Sequence, residues 1–301
     1  MKVKEPLEAE YPQLNGQMVF TYLHLAGVSK SLTEALLQAR VTAVAYETVQ
    51  DSAGKLPLLA PMSAVAGTMA PMIGAYYLAK FNGGKGMLLG EVLGQRYGKV
   101  VIIGDGVVGR HAAKTAGGMG AQVVIFGRRL ERAAQLRQDI SAQIQYIASS
   151  PHAISGHLED ADLVVGAVLV PGAKAPYVVT EAMVRRMQPG SVIVDVSIDQ
   201  GGCVETSRPT SHSDPVYERH GVIHYCVTNM PGAYPRTSTL ALTSATLPYV
   251  LKLANGGVAV LRQDQGFGQG VNTYQGYVTS QPVAAALELM ARYTPFAALT
   301  A

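Results

Sequence analysis

Residues 99–129, KVVIIGDGVVGRHAAKTAGGMGAQVVIFGRR, decide the fold, because a strand, a glycine turn, a helix and a second strand follow one another without a gap. Residues 100–103 form an unbroken apolar run, which is typical of a strand buried on both faces of a parallel sheet. Residues 104–109, GDGVVG, fit the pattern G-x-G-x-x-G, and an alanine-rich helix then leads to a strand at 123–126. This order predicts a βαβ unit of a doubly wound α/β fold.

Each glycine of the pattern has a separate task when a dinucleotide binds. Gly104 would make the tight turn, Gly106 would let a pyrophosphate approach the backbone, and Gly109 would let the helix pack closely on the strand. The helix N-terminus would offer free N–H groups and the positive end of its dipole to the phosphates. Since the pattern follows a strand and opens a helix, it predicts a dinucleotide site; a glycine-rich turn without a ligand is the alternative.

The end of the second strand bears on which dinucleotide binds. Folds of this kind that prefer NAD place Asp or Glu there, to bind the hydroxyl groups of the adenosine ribose. This chain has Gly127, followed by Arg128 and Arg129, with Arg132 one helical turn further on. With no carboxylate to repel a ribose 2′-phosphate and three guanidinium groups to bind it, the sequence favours NADP. The alternative is a solvated, basic start of a helix.

Length and composition limit the class of protein. The 301 residues suit two domains of ordinary size, and 48% hydrophobic against 15% charged residues allow a sizeable core. A net charge of +3, spread along the chain, argues against nucleic acid as a partner. Cys203 and Cys226 are the only cysteines, and they lack metal-ligand spacing, which suits reduced thiols in the cytoplasm.

One uncharged stretch, residues 56–79, is long enough to span a bilayer. Prolines and glycines interrupt it, so we predict a loop followed by a buried helix that is kinked near Pro71, rather than a membrane span. No apolar segment follows residues 1–4, so no signal peptide is expected. We therefore predict no membrane contact and a cytoplasmic location.

The first fifty residues suggest an incomplete domain. Strands are predicted at 18–22 and 41–46, with a helix between them that opens on the capping-box sequence SLTE at 31–34. A complete doubly wound domain needs more strands than this stretch supplies. Either the C-terminal part of the chain completes the domain, or the chain lacks its natural beginning.

The remaining elements predict two domains. They are a linker at 51–61, a helix at 63–80, a glycine-rich loop at 82–97, helices at 130–142 and 180–187, buried strands at 161–170, 191–198 and 222–227, a long helix at 237–255 ended by two glycines, and a last helix capped by Ser280. We predict a dinucleotide-binding domain at 61–235, and a discontinuous substrate domain at 1–60 and 236–301.

Four polar residues are candidates for chemistry because they lie near predicted strand ends. His24 suits a general acid and base, because histidine is the side chain that most often transfers protons in catalysis, although a core histidine is the alternative. Asp199 ends the run VIVDVSID, where a carboxylate is costly without a partner or a task. Asn229 offers an amide to a nicotinamide or a substrate. Lys4 could bind a substrate carboxylate, although its spacing alone favours an ordinary surface lysine.

Seven segments together resemble the alanine dehydrogenase family over nearly the whole chain. They are KVKEP (2–6), FTYLHLA (20–26), AYETVQ (45–50), LPLLAPMSAVAG (56–67), GAVLVPGAKAP (166–176), VIVDVSIDQGG (192–202) and NMPGAYPRTST (229–239). The family interconverts L-alanine with pyruvate and ammonia. The resemblance implies an oxidoreductase with two Rossmann-like domains, NAD as cofactor, and a cytoplasmic homo-oligomer, a hexamer in this family.

The resemblance also implies roles for particular residues. Lys4 matches the lysine that binds the substrate carbonyl and carboxylate, and His24 and Asp199 match the catalytic histidine and aspartate. The implied cofactor contacts are Ser63, Val107, Val108, Ser149, Val168, Leu169, Arg208 and the turn 227–230, which includes Val227 and Met230. Glu47 matches a magnesium position.

The chain also departs from the family pattern. The family begins upstream of KVKEP with a segment that carries an arginine for the substrate carboxylate. Two explanations stay open: either the natural start lies before Met1, or this chain is shortened. Gly127 stands where the family has its ribose-binding aspartate. Ala64 and Thr68 stand where the family has a glutamate and an arginine. Two rival hypotheses are a transhydrogenase subunit and a nucleotide-binding protein without catalysis.

Overall fold

The computed structural model describes residues 1–27 and 30–299, and the chain divides into two compact units. Unit 1 comprises Met1–Pro61, Val170–Lys174 and Thr239–Ala301, and unit 2 comprises Met62–Leu169 and Ala175–Ser238. Each unit is therefore built from stretches that are separate in the sequence.

The strands and helices of the described residues are as follows. The strands are β1 (Met18–Thr21), β2 (Thr42–Ala45), β3 (Gly90–Val92), β4 (Gln95–Tyr97), β5 (Lys99–Ile103), β6 (Gln122–Gly127), β7 (Gln145–Ala148), β8 (Leu163–Gly166), β9 (Val192–Asp195), β10 (Val216–Arg219), β11 (Val222–Tyr225), β12 (Val271–Tyr274) and β13 (Tyr277–Val278). The α-helices are α1 (Lys30–Gln38), α2 (Ala60–Leu78), α3 (Val107–Met119), α4 (Arg132–Asp139), α5 (Pro151–Leu158), α6 (Glu181–Val184), α7 (Pro235–Gln263), α8 (Gln265–Gly268) and α9 (Gln281–Ala286).

The sheet of unit 2 has the strand order β10-β11-β9-β8-β5-β6-β7. All its pairs are parallel except β10 with β11. The chain moves outward from β5 to β7, then returns to the other side of β5 as β8. This reversal is the topological switch point of a doubly wound sheet, where ligands bind beyond the carboxyl ends of the strands.

The continuous apolar run of β5 is explained by burial on both faces. Val100 and Ile102 pack into one core of unit 2, and Val101 and Ile103 pack into the other. Because strand side chains alternate between faces, only a run without polar residues can fill both cores. Full burial of each such side chain contributes about 1.5–3 kcal/mol.

Helix α2 packs closely on its neighbours through glycines. A Cβ on Gly67 would overlap the carbonyl oxygen of Val108, and a Cβ on Gly74 would lie 2.5 Å from the side chain of Leu163. Gly67, Gly74 and Pro71 of this apolar stretch thus belong to a packed helix. Among the described residues, we find no helix with the length and hydropathy needed to span a bilayer.

The sheet of unit 1 has the order β1-β2-β12-β13. β1 and β2 are parallel, whereas β12 runs antiparallel to both β2 and β13. Strands from the C-terminal part of the chain therefore join the sheet begun by the first fifty residues.

Several local predictions were wrong. Residues 90–97 are not a loop but the hairpin β3–β4, whose two-residue turn, Leu93 and Gly94, has positive φ at both positions, as type I′ requires. α7 is broken at Gly257 (φ 54°) but continues to Gln263. α1 begins at Lys30, so Ser31, which was predicted to open the helix, lies inside it. Ser280 is the N-cap of α9, but its side chain makes no capping hydrogen bond.

Candidate functional site

The glycine turn beyond β5 has the geometry of a dinucleotide site. A Cβ on Gly104 (φ 117°) would overlap the carbonyl oxygen of Ala167, and a Cβ on Gly109 would overlap the carbonyl oxygen of Gly104. Gly106 instead faces open space: within the described residues, nothing beyond its chain neighbours lies within 4 Å of an added Cβ. Two glycines are thus required by packing, and the middle one leaves room for a ligand.

The N-terminus of α3 fits a phosphate. Gly106 occupies the N-cap position and provides no side-chain hydrogen bond to the first turn. The first N–H groups of this 13-residue helix are therefore available, at the positive end of its dipole. Val107 and Val108 form the start of the helix, so their N–H groups belong to this set. The residues present fit the diphosphate of a dinucleotide.

The neighbouring turn after β8 is fixed by a serine. The Ser197 hydroxyl donates to the carbonyl oxygen of Val168 (2.8 Å), and Val168 N–H donates back to the same hydroxyl oxygen (3.0 Å). Leu169 follows with an exposed side chain. Sequence reasoning missed Ser197, because its contact joins residues that lie far apart in the chain.

The corner at the end of β6 differs from the prediction. No carboxylate was expected there, but the Asp105 side chain from the glycine turn lies in this corner. Its Oδ2 accepts from Arg132 Nη1 (3.2 Å) and lies 3.1 Å from the Tyr146 hydroxyl. Arg128 and Arg129 are exposed, and neither forms an ion pair with the described residues. Burial, with the Asp105 carboxylate beside it, raises the pKa of Tyr146 to about 12, so its hydroxyl keeps its proton.

In unit 1, His24 follows β1 in a left-handed conformation (φ 48°). The carboxylate of Glu47, only 3% exposed, accepts hydrogen bonds from His24 N–H (2.6 Å) and from Leu23 N–H (3.2 Å). The His24 ring stacks on the ring of Tyr22, with centroids 5.7 Å apart. These contacts fix the backbone and the ring of the predicted catalytic histidine.

The resemblance implies a magnesium position at Glu47, and this stays a prediction. Both carboxylate oxygens already accept backbone N–H groups. Among the described residues, no group of three or more His, Cys, Asp or Glu side chains could hold a metal ion. Glu47 supports the backbone of His24.

Lys4 lies beside β1. Tyr22 N–H donates to the carbonyl oxygen of Val3 (3.3 Å), and the Thr21 hydroxyl donates to that of Lys4 (3.0 Å). The Lys4 ammonium is 3.3 Å from a carboxylate oxygen of Glu5, and its side chain is 37% exposed. Its backbone is thus anchored while its charged end remains accessible.

In unit 2, Asp199 and Asn229 lie together, as their predicted positions at strand ends suggested. The Asp199 carboxylate accepts from Asn229 N–H at 3.1 Å, and Asn229 has a left-handed conformation (φ 53°). The buried Asp195 organises the segment before Asp199, since it accepts from Ser197 N–H and from the Ser207 hydroxyl. Burial raises the pKa of Asp195, whose role is structural.

The other predicted cofactor contacts differ in accessibility. Ser63 lies in the first turn of α2, and Ser149 follows β7, where its N–H donates to the carbonyl oxygen of Gly127 (2.8 Å). The Arg208 guanidinium lies over the Tyr217 ring at 4.1 Å. Val227 and Met230 are buried.

This sheet, its glycine turn and the polar groups beyond its strand ends define a dinucleotide-binding α/β protein of the dehydrogenase class. Residues 70–281 match the C-terminal domain of the alanine dehydrogenase/PNT family, and residues 1–66 match its N-terminal domain. The chain belongs to the alanine dehydrogenase/PNT family.

Curated relatives and solved structures agree with this assignment. "Alanine dehydrogenase 2" of Staphylococcus aureus is 53% identical over 292 residues, which cover 96% of this chain and 78% of that relative. "Alanine dehydrogenase" of Mycolicibacterium smegmatis is 50% identical, with the same shares covered. An L-alanine dehydrogenase structure aligns with a TM-score of 0.86, at 49% identity over 95% of this chain and 80% of that one.

A transhydrogenase from Sinorhizobium meliloti shares the fold. Its structure aligns with a TM-score of 0.75 over 92% of this chain and 80% of that one. At 23% identity, this likeness concerns the fold alone.

Proposed function

We propose that this chain is an alanine dehydrogenase that uses NAD(H), converting L-alanine to pyruvate and ammonia and catalysing the reverse reaction. The observation that carries the proposal is the identity of about half the residues with named alanine dehydrogenases over 96% of the chain. The glycine turn and the free N-terminus of α3 support it, because hydride transfer needs a bound dinucleotide.

The bound nicotinamide would accept hydride from the substrate Cα and return it in the reverse direction. Lys4 is proposed to bind the substrate carboxylate and to stabilise charge on the carbonyl oxygen. Oxidation of alanine gives an imine, which water attacks to release ammonia. His24 and Asp199 are proposed to transfer the protons of these steps, with Asn229 as a further substrate contact.

The structure of each unit supports these roles. Glu47 binds the N–H of His24, and the N–H of Asn229 binds the carboxylate of Asp199, so both acid–base groups have positions fixed by the backbone. We propose that residues 1–60 and 236–301 supply the substrate domain, and that residues 61–235 supply the dinucleotide domain.

The residues around position 127 bear on whether the chain prefers NAD(H) or NADP(H). Gly127 and the two exposed arginines, Arg128 and Arg129, favour NADP, and this stays a prediction. Asp105 lies in the same corner and opposes it. Competition between the two nucleotides for the whole chain measures the preference directly.

Assembly and location are inferred from the family. We propose a cytoplasmic homo-oligomer, a hexamer in the family. Light scattering after size-exclusion chromatography measures the number of subunits, and a monomeric mass would contradict the proposed assembly.

The experiment for the proposed function is the oxidation of NADH by this chain, supplied with pyruvate and ammonium. We expect NADH loss that requires both substrates. Tight NADH binding without any turnover would instead support the nucleotide-binding protein without catalysis.

A further inference from the structure

Position 127, at the end of β6, has no side chain, but the corner beside it contains the carboxyl group of Asp105. An added Cβ on Gly127 would overlap the Tyr146 hydroxyl and would lie 2.9 Å from Cγ of Asp105. The space that an acidic side chain at 127 would enter is thus already filled by the Asp105 carboxyl group and the tyrosine that contacts it.

We propose that Asp105 replaces the missing carboxylate of position 127, accepting the adenosine ribose hydroxyl groups and excluding a ribose 2′-phosphate, so that the chain selects NAD(H) over NADP(H). This inference rests on the dinucleotide site of the proposed function, but it does not depend on turnover of alanine.

The hydrogen bonds of Asp105 leave one oxygen free for a ligand. Arg132 Nη1 and the Tyr146 hydroxyl both approach Oδ2, at 3.2 and 3.1 Å. Oδ1 has no hydrogen-bond partner within the described part of the chain, and it is not among the buried polar atoms that lack one. A charged acceptor, fixed on one side and open on the other, suits a ribose hydroxyl donor.

Tyr146 holds the carboxylate in this place. Its hydroxyl also lies 2.9 Å from the carbonyl oxygen of Arg129, so its single proton is shared between two acceptors on either side of the corner. The Asp105 side chain is only 16% exposed, which limits the alternative positions it can reach.

The charges in the corner oppose a 2′-phosphate. Arg132 is already paired with Asp105, so only Arg128 and Arg129 remain to bind a phosphate. Both are exposed to solvent and to screening by salt. A phosphate at this position would also lie beside the carboxylate, and like charges repel most strongly where water is partly excluded.

The test measures binding rather than activity. Calorimetry on the whole chain compares NADH with NADPH, and 5′-AMP with adenosine 2′,5′-bisphosphate, which isolate the adenosine end. We expect the wild-type chain to bind the ligand without the 2′-phosphate more tightly in each pair. Preference for the phosphorylated ligands would overturn the proposal without any variant.

Two variants then identify the responsible group. Asp105→Asn removes the charge but keeps the shape, and it should lower the NADH to NADPH affinity ratio by about tenfold or more, as expected for a charge-assisted hydrogen bond. Glu131→Gln removes a nearby exposed carboxylate and should leave the ratio unchanged. An unchanged ratio in Asp105→Asn, or an equal fall in both variants, would overturn the proposal.

Failure of this inference can be separated from failure of the proposed function. NADPH preference with retained alanine formation would contradict only the role of Asp105. NADH preference without alanine formation would contradict only the proposed reaction, and binding of none of these ligands would contradict both.

Discussion

His24 and Asn229 share an uncommon backbone conformation and a common way of holding it. Both are non-glycine residues with left-handed φ values, 48° and 53°. In each, the N–H donates to a carboxylate, that of Glu47 for His24 and that of Asp199 for Asn229. Such conformations persist where the surroundings hold them, and they are concentrated at functional sites. The two carboxylates therefore help to hold the backbone of His24 and Asn229 in these conformations.

Replacement of His24 tests the proposed acid–base role. His24→Ala should lower kcat by about a hundredfold or more, because proton transfer by a positioned side chain supplies a factor of this size. NADH binding should survive, since His24 lies outside unit 2 and its glycine turn. Stopped-flow kinetics and calorimetry measure the two effects. His152→Ala, at an exposed histidine, is the control, and equal rates in the two variants would exclude the role of His24.

Replacement of Glu47 tests its supporting role. Glu47→Ala leaves the N–H groups of Leu23 and His24 without their acceptor in a buried place, and should destabilise the chain by about 1–3 kcal/mol. Glu47→Gln keeps one acceptor oxygen and should cost less. Urea unfolding gives both values. A Glu47→Ala chain as stable as the wild type would show that these hydrogen bonds contribute nothing.

Two glycines of α3, Gly109 and Gly117, provide a matched pair of substitutions. Gly109→Ala places a methyl group on the carbonyl oxygen of Gly104, so it should separate α3 from β5 and abolish NADH binding. Gly117→Ala, on the same helix, meets no atom of the described residues within 4 Å beyond the helix's own backbone, and it should stabilise the helix by about 0.4–1 kcal/mol. Thermal unfolding and calorimetry distinguish the two. Undiminished NADH binding by Gly109→Ala would contradict the packing described for the turn.

Sequence patterns predicted the elements that have local signals. The run at 100–103 and the glycines after it predicted β5, the turn and α3, because their burial and turn geometry depend on residues that are neighbours in the sequence. β12 was not predicted, because it contains the buried polar residues Asn272 and Thr273. Their partners, Thr48 and the carbonyl oxygen of Val41, lie more than two hundred residues away. No local apolar pattern marks such a strand.

The candidate site divides in the same way. His24, Asp199 and Asn229 were found from their positions after apolar runs and from the family resemblance. The corner of Asp105 was not found, because Tyr146 and Asp105 are 41 residues apart and their contact depends on the pairing of β6 with β7. NADP preference was predicted from Gly127, Arg128, Arg129 and Arg132, without the contact of Asp105.

At the scale of the whole molecule, stability should depend on the protonation of His224. Its Nδ1 lies 2.9 Å from the carbonyl oxygen of Val222, and its Nε2 lies 2.7 Å from the Thr206 hydroxyl. Burial lowers the pKa of His224 from 6.5 to about 4, so folding favours the neutral ring. The contribution of the neutral His224 to stability is fully present above the unfolded pKa and is lost as the pH falls from 6.5 towards 4.

The size of this effect is up to about 3 kcal/mol. Burial also lowers the pKa of His111 and His157, so the wild type should be compared with His224→Gln, in which only one histidine is lost. Urea unfolding at several pH values should give a smaller loss of stability in the variant. Parallel pH profiles would contradict the burial of a neutral His224.

The proposed reaction of this chain forms L-alanine from pyruvate and ammonia with NADH. The most direct measurement supplies the whole chain with NADH, pyruvate and isotopically labelled ammonium, and analyses the product by chiral chromatography and mass spectrometry. We expect labelled L-alanine, without the D-isomer, in an amount equal to the NADH consumed. NADH that binds to the chain but yields no labelled alanine would contradict the claim.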